Sequence, residues 1–327
     1  MVAWNQFAII FGMLVIYFVN FFIARGSPEQ WIDSTGWRWM FGSETIPAML
    51  FLLLLFFAPE TPRYLVMKDK KQKAMNLLQR INGNIIAGNV MKEIEISLKE
   101  KSLPWLSFGG LVIIIGIMLS VFQQFVGINV VLYYAPEIFR NMGAGTESAL
   151  WQTIIVGIIN LTFTVIAIFT VDKFGRKPLQ IIGAAGMAIA MSGLGLAFFF
   201  NSLGTIALVF ILLYIAAFAV SWGPVVWVLI AEIFPNSIRG AMSIAVAAQW
   251  IANFVISWTF PIMNDSSWLT TRFNHGFAYW IYGLMAVLAA IFMWKVVPET
   301  KGKTLEDMDH LRSEEHTSEL QSLLIIS

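Results

Sequence analysis

An all-α membrane protein is the fold class this sequence predicts, and three observations carry it. Hydrophobic residues make up 58% of the 327 and charged residues only 13%, about half the charged share of an ordinary soluble domain. Mean hydropathy is +0.72. Eight stretches reach the roughly 20 apolar residues that a helix needs to cross a bilayer, and positive charge alternates between the loops that join them.

The expected spans run over 3–23, 42–58, 108–139, 150–171, 179–199, 205–231, 242–263 and 276–297. The first follows Met1 directly, with no basic start or cleavage site of a secretory signal. The third is too long for one simple crossing, and Gly127 and Pro136 offer places for it to break. In the sixth, Gly223-Pro224 loosens the helix. Residues 59–107 form the sizeable polar stretch. Met75, Leu78 and Ile81, then Met91, Ile94 and Leu98, follow helical spacing with charges between them. Two short amphipathic helices on a membrane face fit that pattern, with a solvated linker as the alternative.

One set of loops (59–107, 172–178, 232–241 and 295–311) holds 16 Lys and Arg, whereas the other holds four: Arg25, Arg38, Arg140 and Arg272. The positive-inside rule therefore puts both ends and the basic loops in the cytoplasm of a multi-pass protein of the inner (plasma) membrane. Three His, no Cys and a net charge of +1 point to no metal, no cofactor, no disulfide framework and no nucleic-acid partner. An embedded enzyme would need a catalytic cluster at depth, and a channel a repeated filter motif; neither is legible.

The chemistry sits in uncharged polar groups at membrane depth. Gln6 lies in the first span, Gln123, Gln124 and Asn129 in the third, Asn160 in the fourth, and Gln249 in the seventh. Amides in hydrocarbon are costly unless they face a cavity or a partner. An amide both donates and accepts, which suits a small neutral polyhydroxylated solute better than an ion. Trp227 and Trp250 add aromatic faces for the C–H surface of a sugar ring. Gln123 and Gln124 are about 100° apart on a helix, so one of them could instead bridge helices, and Asn160 could do the same. Trp222 reads as packing.

Four loop motifs stand between these spans. Pro59-Glu60-Thr61-Pro62-Arg63 closes the second span and Pro298-Glu299-Thr300-Lys301-Gly302 the eighth, a repeated phrase that suggests a duplicated half. Asp172-Lys173-Phe174-Gly175-Arg176-Lys177 links the fourth and fifth spans, and Glu232-Ile233-Phe234-Pro235 with Ile238-Arg239-Gly240 follows the sixth. In this order the motifs resemble the sugar porter family of the major facilitator superfamily. Similarity over residues 2–311 extends to that family's bacterial xylose–proton symporters, which have twelve spans. Trp4–Phe22 falls at the fifth of these and 276–297 at the twelfth.

The resemblance implies a major facilitator helical bundle and a secondary active sugar:proton symporter, for D-xylose, that works by alternating access. Facilitative hexose carriage, or sugar sensing without transport, would use the same fold. It implies a sugar pocket of Gln6, Gln123, Gln124, Asn129, Asn160, Trp227, Gln249 and Trp250, with Tyr133 as gate aromatic and Gly223 as a close-approach glycine. Met13 departs from it, standing where the symporter carries a glutamine. The motif residues Glu60, Arg63, Asp172, Gly175, Arg176, Glu232, Arg239 and Glu299 are implied to form a cytoplasmic latch, with glutamate–arginine pairs across two halves that break as the halves rock. The proton-coupling aspartate and its arginine partner are implied to lie in the family's first and fourth spans, outside this chain. Residues 312–322 (Arg-Ser-Glu-Glu-His-Thr-Ser-Glu-Leu-Gln-Ser) are similar to the translation of a common sequencing adapter. The expected organisation is therefore that of a gene fragment holding eight of twelve spans. In it, 1–58 are the last two helices of a first half, 59–107 a cytoplasmic linker, 108–297 a six-helix second half, 298–311 a cytoplasmic segment and 312–327 adapter-derived sequence.

Overall fold

Helices account for every regular element among the described residues, which in this computed structural model are 2–99, 110–234 and 239–299. The adapter-like tail and most of the 298–311 segment lie outside them, as do the side chains of Asp172 and Arg239. Among the described residues, eight helical stretches are long and apolar enough to cross a membrane.

Helix α1 (Val2–Ala24) is followed by the short α2 (Glu29–Trp31), a π-turn at Ile32–Gly36, α3 (Trp37–Ser43) and α4 (Thr45–Leu55). The second crossing thus runs over Glu29–Leu55 and starts well before the expected residue 42. Arg38, one of the four cations of the sparse loops, instead lies within this helical stretch, where its guanidinium donates to the Ser34 carbonyl and lies 4.4 Å from the Trp37 ring. The polar stretch folds as α5 (Pro62–Met67) and α6 (Lys71–Lys99), and α6 breaks at Gly83 (φ 78°, ψ 165°). Leu65, Val66, Ala74, Leu78, Ala87 and Met91 form a small core of their own there.

The remaining crossings are α7 (Gly110–Phe125) with α8 (Ile128–Tyr133) and α9 (Ala135–Asn141); α10 (Thr146–Phe174); α11 (Arg176–Phe199); α12 (Thr205–Val220) with α13 (Trp222–Ile233); α14 (Arg239–Asp265), then α15 (Ser267–Phe273); and α16 (Phe277–Lys295). They share one continuous core. Helix α11 packs on α12 and α16, α7 on α14 and α13, and α10 on α12. Small residues permit these approaches: a Cβ at Gly195 would collide with the Trp280 indole on α16. This is how membrane helices associate when lipid is as apolar as their own side chains. Away from the basic loops, Asn264 ties the ends together, donating to Glu137 Oε1 (3.3 Å) and Asp265 Oδ1 (3.0 Å) and accepting from Asn141 Nδ2 (3.2 Å). Helix α1 joins this group by packing on α10, and Tyr17 donates to the Leu132 carbonyl at 2.9 Å.

Candidate functional site

Two crossings are broken side by side, and the breaks organise the polar groups. Helix α7 stops because Gly127 adopts φ 91°, a conformation that costs an L-residue about 1–2 kcal/mol. A Cβ there would also lie 2.7 Å from the Tyr282 ring, so the position has no room for a side chain. A second interruption at Tyr134 precedes Pro136. On the neighbouring crossing α12 ends at Ser221 (φ −129°, ψ −85°), just ahead of Gly223-Pro224.

Side chains cross-link the broken crossings through backbone carbonyls at or beside the breaks. Gln123 Nε2 donates to the Trp222 carbonyl (2.9 Å) and to that of Gly223 (3.4 Å), spanning from one break to the other. Tyr214 donates to the Val126 carbonyl at 2.8 Å. Tyr134 donates to the Ser257 carbonyl (3.1 Å) and so joins α9 to α14. The Trp222 indole N–H donates to the Gln180 carbonyl at 2.9 Å, and the ring is fully buried, a packing residue as its sequence context suggests.

Of the expected pocket residues, Gln123, Gln124, Asn160 and Gln249 are buried, at 3%, 5%, 3% and 6% exposure. Gln124 Oε1 accepts from Asn129 Nδ2 at 2.7 Å across the Gly127 break. Gln123 Oε1 and Gln249 Oε1 are buried acceptors with no hydrogen-bond partner. They lie on α7 and α14, which pack together. Gly223 is buried, Trp227, Asn129 and Gln6 are half-buried, and Tyr133 and Trp250 are open. Met13 packs against the apolar core.

The basic end holds a second constellation. Arg176 Nη2 and Nε donate to Glu232 Oε1 at 2.9 and 3.2 Å. Glu299 accepts from the backbone amides of Arg176 and Lys177, both at 3.1 Å, capping the positive end of α11. Gly175 has φ 89°, and a Cβ on it would crowd the Glu299 carboxylate at 2.9 Å. Of the glutamate–arginine pairs expected across two halves, the Arg176–Glu232 contact is the one this geometry relocates. These contacts stay within the group spanning 110–299, because α16 packs along α11 and returns Glu299 to its N-terminus. Glu60 is exposed and Arg63 half-buried, and both stand on the other side of α6 in sequence.

Sequence reasoning passed over Tyr17, Tyr134, Tyr214 and Gln180. A hydroxyl inside an apolar run facing a helix break is the signal that would have marked the tyrosines. Gln180 is fully buried with both amide atoms unpaired.

Comparison with known proteins bears on this geometry. The family described as Sugar (and other) transporter matches residues 1–311. The D-xylose-proton symporter of Escherichia coli K12 is 61% identical over 315 residues, which cover 95% of this chain and 64% of the relative. The glucose facilitated diffusion protein of Zymomonas mobilis is 42% identical, covering 95% of this chain and 67% of that one. Among solved structures, the inward open conformation of the xylose transporter XylE from E. coli is similar with a TM-score of 0.81 at 59% identity, covering 94% of this chain and 64% of the other. XylE bound to 6-bromo-6-deoxy-D-glucose gives 0.78 at 60% identity, with 95% and 66% covered. The chain spans about 64% of the length of the E. coli relatives it matches.

Proposed function

The chain belongs to the sugar (and other) transporter family, and we propose that the protein carrying it moves D-xylose with protons across the inner membrane by alternating access. We read its eight crossings as the fifth to twelfth of a twelve-span carrier, with both ends and the basic loops cytoplasmic. The lipid bilayer, a small neutral sugar and the proton are then its partners. The proton-coupling pair is assigned to spans outside this chain.

One observation carries the sugar reading: Gln123 is held by its Nε2 on the carbonyls of a broken neighbour helix while its Oε1 is buried and unpaired. An amide fixed at one end presents its other end in a set direction, and a buried acceptor left unpaired costs about 1–3 kcal/mol. A sugar hydroxyl would relieve that cost. Gln249 offers a like acceptor from the adjoining helix. Gln124 and Asn129 form a paired amide unit across the Gly127 break, and Asn160 is buried on α10. Trp227, Trp250 and Tyr133 supply ring faces, Gly223 lets a solute approach the backbone, and the half-buried Gln6 on α1 adds a further amide. Arg176, Glu232 and Glu299, with Gly175, Asp172, Arg239, Glu60 and Arg63, form the cytoplasmic latch. The Arg176–Glu232 pair is part-buried, so a cycle that opens it must let water reach both groups as they separate.

Facilitated hexose transport is the second reading. Met13 favours it, because an apolar residue packed on the core removes one polar contact from the pocket. Calorimetric titration of the protein carrying this chain with D-xylose and D-glucose tests both. Gln123→Ala and Trp227→Ala should each weaken xylose binding by roughly tenfold, since each contact is worth on the order of 1–2 kcal/mol and about 1.4 kcal/mol is a factor of ten. Unchanged affinity in both variants removes the site. Tighter glucose binding, with labelled glucose entering better than xylose, makes the protein a hexose carrier.

A further inference from the structure

We propose that a cleft beside the end of α4 binds the phosphate of an anionic phospholipid headgroup and so holds α5 and α6 against the cytoplasmic leaflet. The proposal rests on the orientation above but not on the sugar site. The cleft lies between Pro59-Glu60 and the first turns of α6. Leu65 and Leu77 line it along with Lys70, Lys73 and Arg80, so three cations face a single carboxylate, Glu60.

These cations are free for a ligand in a way their neighbours are not. Lys71 is paired with Glu95 at 2.8 Å, and Lys68 lies over the Tyr64 ring at 5.8 Å. Lys70, Lys73 and Arg80 are all exposed. Lys73 and Arg80 are seven residues apart and Leu77 falls between them, so all three share one face of α6. The walls are held firmly. The Lys70 amide donates to the Leu65 carbonyl at 2.8 Å, and the small core of α5 and α6 lies directly behind.

The height of the cleft selects the ligand. Beyond Leu55 the amides of Phe56, Phe57 and Ala58 donate to the carbonyls of Leu53, Leu54 and Leu55 at 3.3, 3.0 and 3.2 Å. Turns of that kind rise about 2 Å per residue, which sets Pro59 about 8 Å past the last residue of α4. Phe56 and Phe57 are 79% and 85% exposed, so apolar surface in need of lipid runs to within two residues of the cleft. The headgroup layer is about 5–8 Å thick on each side of the hydrocarbon. The cleft therefore opens at the level of the lipid phosphates. A basic cluster just past a spanning helix is the arrangement that anionic leaflets attract.

The test is native mass spectrometry of the purified protein carrying this chain, with equimolar phosphatidylglycerol and phosphatidylcholine, and separately with glycerol 3-phosphate. Phosphatidylglycerol should be retained in preference to phosphatidylcholine. Each of Lys70→Gln, Lys73→Gln and Arg80→Gln should lower that preference about fivefold, and Lys71→Gln should leave it unchanged. Glu60→Gln should raise the preference, a gain that misfolding would not mimic. Equal retention of the two lipids, or a triple variant that keeps the preference, overturns the proposal. Displacement of the lipid by glycerol 3-phosphate at equal concentration would make this a soluble-phosphate site and overturn the lipid assignment. None of these readouts depends on sugar binding, so failure here and failure of the transport reading are distinguishable.

Discussion

Residues 2–55 and residues 110–295 are equally suited to a bilayer, yet they fold to opposite degrees of burial. Helix α4 has no buried residue at all, with Ile46 73% and Phe57 85% exposed at or just past its ends. On α12, which is just as apolar, Ile211 is 1% exposed and Tyr214 fully buried. The difference teaches that hydropathy reports the solvent a helix tolerates and says nothing of its neighbours. Among the described residues, 110–295 hold the steric and polar detail that packs helices: glycines at close crossings, helix breaks, and side chains that bond carbonyls of neighbouring helices.

The comparison can be broken most forcefully at glycines. Gly127→Val should destabilise the protein by about 4 kcal/mol, from backbone strain and collision with Tyr282. Gly12→Ala on α1, where an added Cβ meets nothing within 4 Å, should change stability by less than about 0.5 kcal/mol. Thermal unfolding in detergent reads both. If the two variants behave alike, the Gly127 break is not a structural requirement.

A smaller effect sharpens the contrast between the helices themselves. Ile211→Ala should cost about 2 kcal/mol, because the cavity it leaves is lined by protein. Leu53→Ala, at a position 55% exposed, should cost under about 0.5 kcal/mol, since lipid or detergent refills the space. Equal losses would mean that α4 has a packing partner on that face.

The smallest expected change is Tyr214→Phe, which removes the hydrogen bond to the Val126 carbonyl while keeping the ring. A loss of about 1 kcal/mol is expected, with faster hydrogen exchange at the amides of α8. No change in either would show that the Val126 carbonyl finds another donor.

Much of the candidate site was legible because it breaks rules that hold elsewhere in the chain. Gln123, Gln124 and Asn129 are amides where hydrocarbon permits few, and Gly127 interrupts an otherwise helical run, so one sequence declares both the break and the polar cluster. The loop motifs declared the family in the same way, through residues at fixed positions between spans. What could not be read was which atoms meet. Gln123 binds carbonyls about a hundred positions further on, and Glu299 caps a helix that starts at Arg176; only the packing of α7 on α13 and of α16 on α11 makes those neighbours.

The sequence by itself determined the solvent, the number of crossings among the described residues and the sign of each loop, because these depend on transfer free energy and composition. Tertiary structure alone decided that Arg176 pairs with Glu232 inside one helix group, that Tyr133 and Trp250 stay open while Gln249 is buried, and that Gln123 keeps one free acceptor. Such facts depend on distances between residues far apart in the chain. A bilayer favours every sufficiently apolar helix whatever its neighbours, so shape and hydrogen-bond complementarity choose among those neighbours.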